Sequence, residues 1–484
     1  MKNKKYLIII ASFIFVFFLR LWMVPDFFSF NFDEEYQATL AWQQVKHFHK
    51  IWIGVSASNL RYYLGPAFTY LNALLFKLSH GDPVILAYFS AFLGIISTLS
   101  IVYVTKKLFS TKASIIAGLL YGASAFLNYY DRRFWNPTPM PLIAIWMFYS
   151  LSRAKKDSRW LILSVIFFAF SFHVHLGLMV FVPVIFFVIL REIKKIKLST
   201  WILMVISYLF ITFPLLVFDF VHSFDNLKAP LRFFTDKKNG VSNFGLDRVI
   251  EHTKVYFNML SRIWFISFNT NIQNEQTLGA HFRLGQGNIL LSLFSLASIG
   301  ISYSASLILF LSLALFSVTF ILYPGFAAEY YLLGFFALLT IAGGLLLARL
   351  PTKIIVIILT LYIGLNAVTI FTTTQAQYGL TIRHALINKV METVKNRPFT
   401  LETYGRDPRQ YHPYGGWRYL FKAYGQTPVK SFADDHFSWI YPDEISDTKP
   451  VYKVIISEEK NLDFKTPPIV KFRTGAFYAY ILNY

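Results

Sequence analysis

Long apolar runs recur from the N-terminus to about residue 372, separated by short polar gaps. A membrane helix needs about 20 apolar residues, and the runs predict spans at about 6–24, 84–105, 113–128, 137–152, 199–218, 288–302, 303–323, 331–348 and 353–372. Residues 160–190 have basic clusters at both ends, so the chain must go out and back there, in two short spans with "FHVHLG" at the tip. The total is about eleven. A transmembrane β-barrel would instead show ten-residue alternating segments. The stretch 66–78 is apolar but too short to span, and predicts a helix lying at the membrane surface. From about residue 376 the pattern changes: "VYKVIIS" and "FYAYILNY" predict strands and "WRYLFKAYG" a helix. The expected organisation is a membrane domain, 1–375, with outer loops 25–83 and 219–286, followed by a small α/β domain, 376–484.

Charge gives this pattern a direction. The 484 residues are 55% hydrophobic and only 15% charged, against about a quarter in soluble domains. The net charge of +20 would suggest nucleic acid, but its lysines and arginines sit in every second gap. They cluster at Lys2–Lys5, Lys106–Lys112, Arg153–Arg159, Arg191–Lys197 and Arg349–Lys353. That is the positive-inside pattern, so these gaps face the cytoplasm and nucleic acid is not an expected partner. The bilayer accounts for the basicity. The first run is long and lacks a small-residue cleavage site after it, so it reads as a span rather than a signal peptide. With no cysteine, neither a thiolate metal site nor a thiol nucleophile is available.

The conspicuous polar groups all fall on the outer side of this map: Asp33, Glu34 and Glu35, then Arg61, Asp131, Arg132, Arg133, Asn136, His173, His175, Asp219, His222 and Glu329. An active site outside the membrane explains such a gathering. In "NFDEEYQATLAWQQV" a carboxylate near the low-dielectric boundary suits a general base, and the same acids suit the first turn of a helix capped by Asn31 or Asp33. Arg20 lies within the first span, as a partner for Asp33 or a phosphate, or snorkelling to the surface. The two guanidiniums of "DRRFWNP" suit an anionic ligand. His173 and His175 point apart and do not form one metal site. Asp219 and His222, three apart on a helix, are compatible with a divalent ion but suit a hydrogen-bonded pair better. Nucleotide-binding and zincin motifs are absent from the sequence.

With "RLWMVPDFFSFNFDEEYQA", "YYLGPAFTYLNALLFKL", "RRFWNPTP" and "PLLVFDFVHSF" in view, the chain resembles the GT-C superfamily of membrane glycosyltransferases. It is most similar to the family 39/83 group of protein O-mannosyltransferases and aminoarabinose transferases. The resemblance covers about residues 1–375. It implies a sugar donor on a polyprenyl phosphate, an acceptor outside the cytoplasm and one inverting displacement, in a multi-pass protein of the plasma membrane. It also implies that Asp33 is the base, that Glu34 positions the acceptor or a cation, and that Arg132 and Arg133, with Arg20 and His175, hold the leaving phosphate. Glu35, Arg61, Tyr63, Asp131, Asn136, Asp219, His222, Glu329 and Tyr330 would line the pocket. No cofactor is required, and a divalent cation is compatible. Two departures stand out: Asn136-Pro137 where many members carry a further Asp, and Glu329-Tyr330 where relatives often show a basic residue before the Tyr. The alternatives are a transporter or flippase of a lipid-linked or anionic substrate and a ligase or polymerase of lipid-linked oligosaccharides.

Overall fold

The structure is a computed structural model; it describes residues 2–58, 62–235, 245–266, 287–323, 325, 328–404 and 415–484. Helices stand at each of the expected span positions. Among the described residues, five segments are long and apolar enough to cross a membrane: Val84–Leu108, Leu176–Lys195, Leu198–Val221, Glu329–Leu347 and Thr352–Thr372. Four more apolar helices are shorter, Tyr6–Leu21, Trp160–Val174, Ile289–Ala305 and Leu307–Ile321. The 160–190 stretch is two helices, Trp160–Val174 and Phe181–Glu192, joined through His175 and a 3-10 turn. At 1.5 Å per residue the first is only about 22 Å long, shorter than the roughly 20-residue norm for a span.

Helix Leu333–Leu347 is the axis of the bundle and is buried along nearly its whole length. It packs against Thr111–Ala123, Met140–Ala154 and Ile289–Ala305. Backbones approach closely where small residues face each other: Gly344 lies against Ala117 and the Ala113 carbonyl, the small-residue contact that substitutes for hydrophobic driving force in lipid.

The loops expected on the outer side are more structured than the polarity pattern suggests. The 66–78 stretch is the surface helix Ala67–Ser79, and a second helix, Phe32–Lys46, packs along it. The loop 219–286 contains the amphipathic helices Asp225–Thr235 and Leu246–Arg262, the latter burying Tyr256, Met259 and Leu260 against the bundle. Short strands β1 (Ser56–Ser58) and β2 (Tyr62–Tyr63) form a small hairpin.

Beyond residue 380 come helix Leu380–Val394, strand β3 (Phe399–Tyr404), helix Trp417–Tyr424, and strands β4 (Lys430–Ser431), β5 (Tyr452–Ser457), β6 (Val470–Thr474) and β7 (Phe477–Asn483). The sheet order is β4-β3-β5-β7-β6, with β3 parallel to β4 and β5 and the remaining pairs antiparallel. Val454, Ile456, Ala479 and Ile481 of this sheet share one apolar core with Phe28, Phe30, Phe68 and Phe76 of the outer loops. The C-terminal elements are therefore joined to residues 25–83 through one apolar core.

One contact fixes how the surface helix meets the bundle. His173 lies over Gly65, where a Cβ would overlap its imidazole ring, and accepts a bond from Ala67 N at 3.3 Å while its Nε2 meets the Ile211 carbonyl at 2.9 Å. Gly65→Ala should cost about 1–3 kcal/mol through overpacking, read as a lower thermal midpoint. His173→Ala in the same chain should recover part of that loss by vacating the space.

Candidate active site

Helix Phe32–Lys46 begins with three acids in its first turn, where the N-terminal dipole favours negative charge. Helical geometry sends the three side chains in different directions, and each meets a different environment. Glu34 is fully buried. Its Oε2 accepts the Asn31 N–H at 3.0 Å, and its Oε1 accepts Arg133 Nε and Nη2 at 2.9 and 2.8 Å. Burial pushes the Glu34 carboxyl upward while the Arg133 guanidinium pulls it back. Glu35, also buried, accepts the backbone N–H groups of Gly416 and Tyr419 at 2.8 and 3.0 Å. Asp33 is the remaining one: its side chain is 36% exposed, with Oδ2 3.9 Å from Arg133 Nη2.

Arg133 links this turn to an aromatic chain. Its guanidinium lies 3.8 Å over the Trp135 ring. Trp135 meets Tyr330 at 4.5 Å between centroids, and Tyr330 meets His175 at 5.7 Å. Tyr330 also stands within electrostatic reach of Asp33. Five of the expected residues, Asp33, Glu34, Arg133, His175 and Tyr330, are thus brought together. His175 Nδ1 accepts the Gly177 N–H at 3.0 Å, which leaves the ring proton on Nε2 as a donor. Burial pushes its pKa from the usual 6.5 down to about 4. Because the folded pKa is depressed, this group contributes stability above pH 6.5 that is lost as pH falls towards 4. The thermal midpoint should fall across that window, and His175→Gln should flatten the fall.

The other residues serve elsewhere. Arg20 pairs with Asp131 instead of Asp33 and donates to the Tyr121 carbonyl at 2.8 Å. Gly94 makes room for this pair, since a Cβ there would overlap the Asp131 carboxylate. Arg132 Nη2 donates to the Leu19 and Trp22 carbonyls, both at 3.1 Å, and so caps the first helix. Asn136 is half-buried beside Trp135. Asp219 and His222 do not form the expected pair: Asp219 Oδ1 accepts Asn226 and Leu227 N–H groups, while His222 folds back onto Phe218. The Asn226 side-chain amide pairs with the Tyr63 backbone, its Oδ1 accepting the Tyr63 N–H at 2.7 Å and its Nδ2 donating to the Tyr63 carbonyl at 3.0 Å. Arg61 lies outside the described residues.

Glu329 is buried against Arg262, 2.9 Å away, and accepts the Tyr130 hydroxyl at 3.1 Å. Arg262 was not a sequence candidate. The amphipathic repeat of 246–262 marks a helix, but its pairing with Glu329, in a turn far along the chain, has no local signature. Glu34 is engaged by Arg133 and Glu35 by backbone N–H groups, and among the described residues no three His, Asp or Glu side chains gather as a metal site.

The family described as dolichyl-phosphate-mannose-protein mannosyltransferase matches residues 64–218. No curated protein sequence matches significantly. Among solved structures, ArnT from Cupriavidus metallidurans in the apo state aligns with a TM-score of 0.59 at 9% identity, covering 99% of this chain and 98% of that one. The same protein bound to undecaprenyl phosphate gives 0.55 at 10% identity, with the same coverage. The oligosaccharyltransferase of Archaeoglobus fulgidus in complex with Zn and sulfate gives 0.50 at 12% identity, over 92% of this chain and 67% of that one. The chain has the GT-C fold and resembles the glycosyltransferases of that superfamily, the protein mannosyltransferases and ArnT among them.

Proposed function

We propose that the protein transfers a sugar from a polyprenyl-phosphate donor to an acceptor on the outer side of the membrane, with Asp33 as general base. One observation carries this reading: of three adjacent acids, Glu34 and Glu35 are buried in bonds and Asp33 alone keeps an accessible carboxylate. Asp33 takes the proton from the acceptor hydroxyl, and the freed oxygen attacks the anomeric carbon. The bond from that carbon to the phosphate oxygen breaks, the configuration inverts, and the negative charge passes to the polyprenyl phosphate. A phosphate leaving group needs charge stabilisation rather than a proton donor. In this reading Arg133 and the Nε2–H of His175 supply it, and the ring contacts of Trp135 and Tyr330, which lie between them, support this.

Arg20 and Arg132 take part only as supports: they pair with Asp131 and cap the first helix, whereas Arg133, although bonded to Glu34, also comes within 3.9 Å of Asp33. In support of a lipid-linked donor, one solved structure of ArnT holds undecaprenyl phosphate. The test is a panel of polyprenyl-phosphate sugars offered to the purified protein with a crude envelope extract as acceptor. Release of free polyprenyl phosphate from one of them is expected. Consumption of only long oligosaccharide donors would replace this reading with that of an oligosaccharide ligase.

A further inference from the structure

The first turn of the Phe32–Lys46 helix is gripped from the C-terminal side as well as from the bundle. Both oxygens of Glu35 are taken by N–H groups at the start of helix Trp417–Tyr424, those of Gly416 and Tyr419. A carboxylate buried without partners would cost several kcal/mol; here backbone donors and the dipole of that helix compensate it. Arg383, on helix Leu380–Val394, reaches the Asn31 side-chain oxygen at 2.9 Å and the Gly415 carbonyl at 3.1 Å. Its guanidinium is held between the Trp417 and Phe477 rings. Tyr419 packs between Phe30 and Phe76 and donates its hydroxyl to the Gly81 carbonyl.

Gly416 is part of the same fit. Its φ of 96° belongs to the left-handed region, and a Cβ there would run into the Phe30 carbonyl. Gly415 lies against the backbone of Phe32, the residue before Asp33. Asn31, Phe32 and Glu35, which bracket Asp33, are therefore bonded to, or packed on, elements more than three hundred residues away. A segment that only covered a site would have no use for a buried carboxylate two positions from the exposed one.

We propose that helix Leu380–Val394 and residues 415–424 form a clasp that positions Asp33, with Glu35 as its central positioning residue. This rests on the reading of Asp33 as the base. The clasp holds the helix turn through Glu35 and Asn31, Arg133 holds it through Glu34, and between them the direction of the Asp33 side chain is set. Loosening the clasp leaves the donor site on the bundle intact and misaims the base. Misplacement by about 1 Å is enough to lower a rate about a hundredfold.

The chain lacks cysteine, so Asp33→Cys in the full-length protein offers a single thiol for a nitroxide label. Lys156→Cys, in an exposed turn far along the bundle, serves as control. Two changes open the clasp from opposite sides: Glu35→Gln, which replaces one acceptor oxygen by an amino group, and Gly416→Ala, which leaves every side chain of the helix unchanged. Each is expected to raise the mobility of the label at 33 and leave the label at 156 as it was. With Asp33 restored, each should lower kcat about ten- to a hundredfold and leave the donor KM unchanged. An immobile label at 33 in both folded variants would overturn the clasp, even if Asp33→Asn proves inactive. A loosened label together with a fully active Asp33→Asn would keep the clasp and remove the base, so the two readings fail separately.

Discussion

Asp33→Asn is expected to lower sugar transfer by about two to four orders of magnitude, the usual contribution of a general base, with little change in stability. The substitution keeps the volume and one acceptor oxygen. It removes the capacity to take a proton. The side chain is partly exposed and its nearest cation is 3.9 Å away, so no strong native interaction is lost, and surface changes of this kind usually stay within about 0.5 kcal/mol. The measurement is release of free polyprenyl phosphate from the accepted donor, at matched thermal midpoints. Turnover equal to that of the unaltered protein would remove Asp33 as the base. Glu34→Gln provides the contrast: its carboxylate holds Arg133 and the start of its own helix, so its loss should register in stability as well as rate.

Much of this site was readable in the linear chain, for reasons specific to the residues involved. Three acids after an apolar run suit a helix start at an interface, because the dipole at a helix N-terminus stabilises negative charge. The short, basic-flanked stretch 160–190 implies a hairpin, and the two helices meeting at His175 follow from it. Which of the three acids stays accessible was not readable. Glu34 and Glu35 differ from Asp33 by what lies opposite them, Arg133 about a hundred residues on and Gly416 about four hundred on, and local pattern carries no trace of either. The same limit explains Arg20, whose partner proved to be Asp131, and Arg262, whose partner is Glu329. A charge in or near the membrane announces that it needs a partner; only the fold says which.

The second large effect concerns that hidden pairing. Arg133→Ala should destabilise the protein by about 3–5 kcal/mol, because it strands Glu34 as a buried charge. Glu34 is already pushed upward by its burial, and Arg133 is the main influence opposing this. Without Arg133 the folded state binds a proton at Glu34 more tightly than the unfolded chain does. The added stability is then present at low pH and is lost as pH rises through the shifted value. Thermal midpoints of the variant should therefore recover on acidification from neutral pH, against the direction set by His175. Adding Glu34→Gln removes the stranded charge and should restore a large part of the stability at neutral pH. Transfer should remain low in that double variant, since the guanidinium over Trp135 that is proposed to meet the leaving phosphate is still missing. If activity returned together with stability, Arg133 would be a structural partner of Glu34 only, and the phosphate would have to be held by His175 and groups beyond this turn.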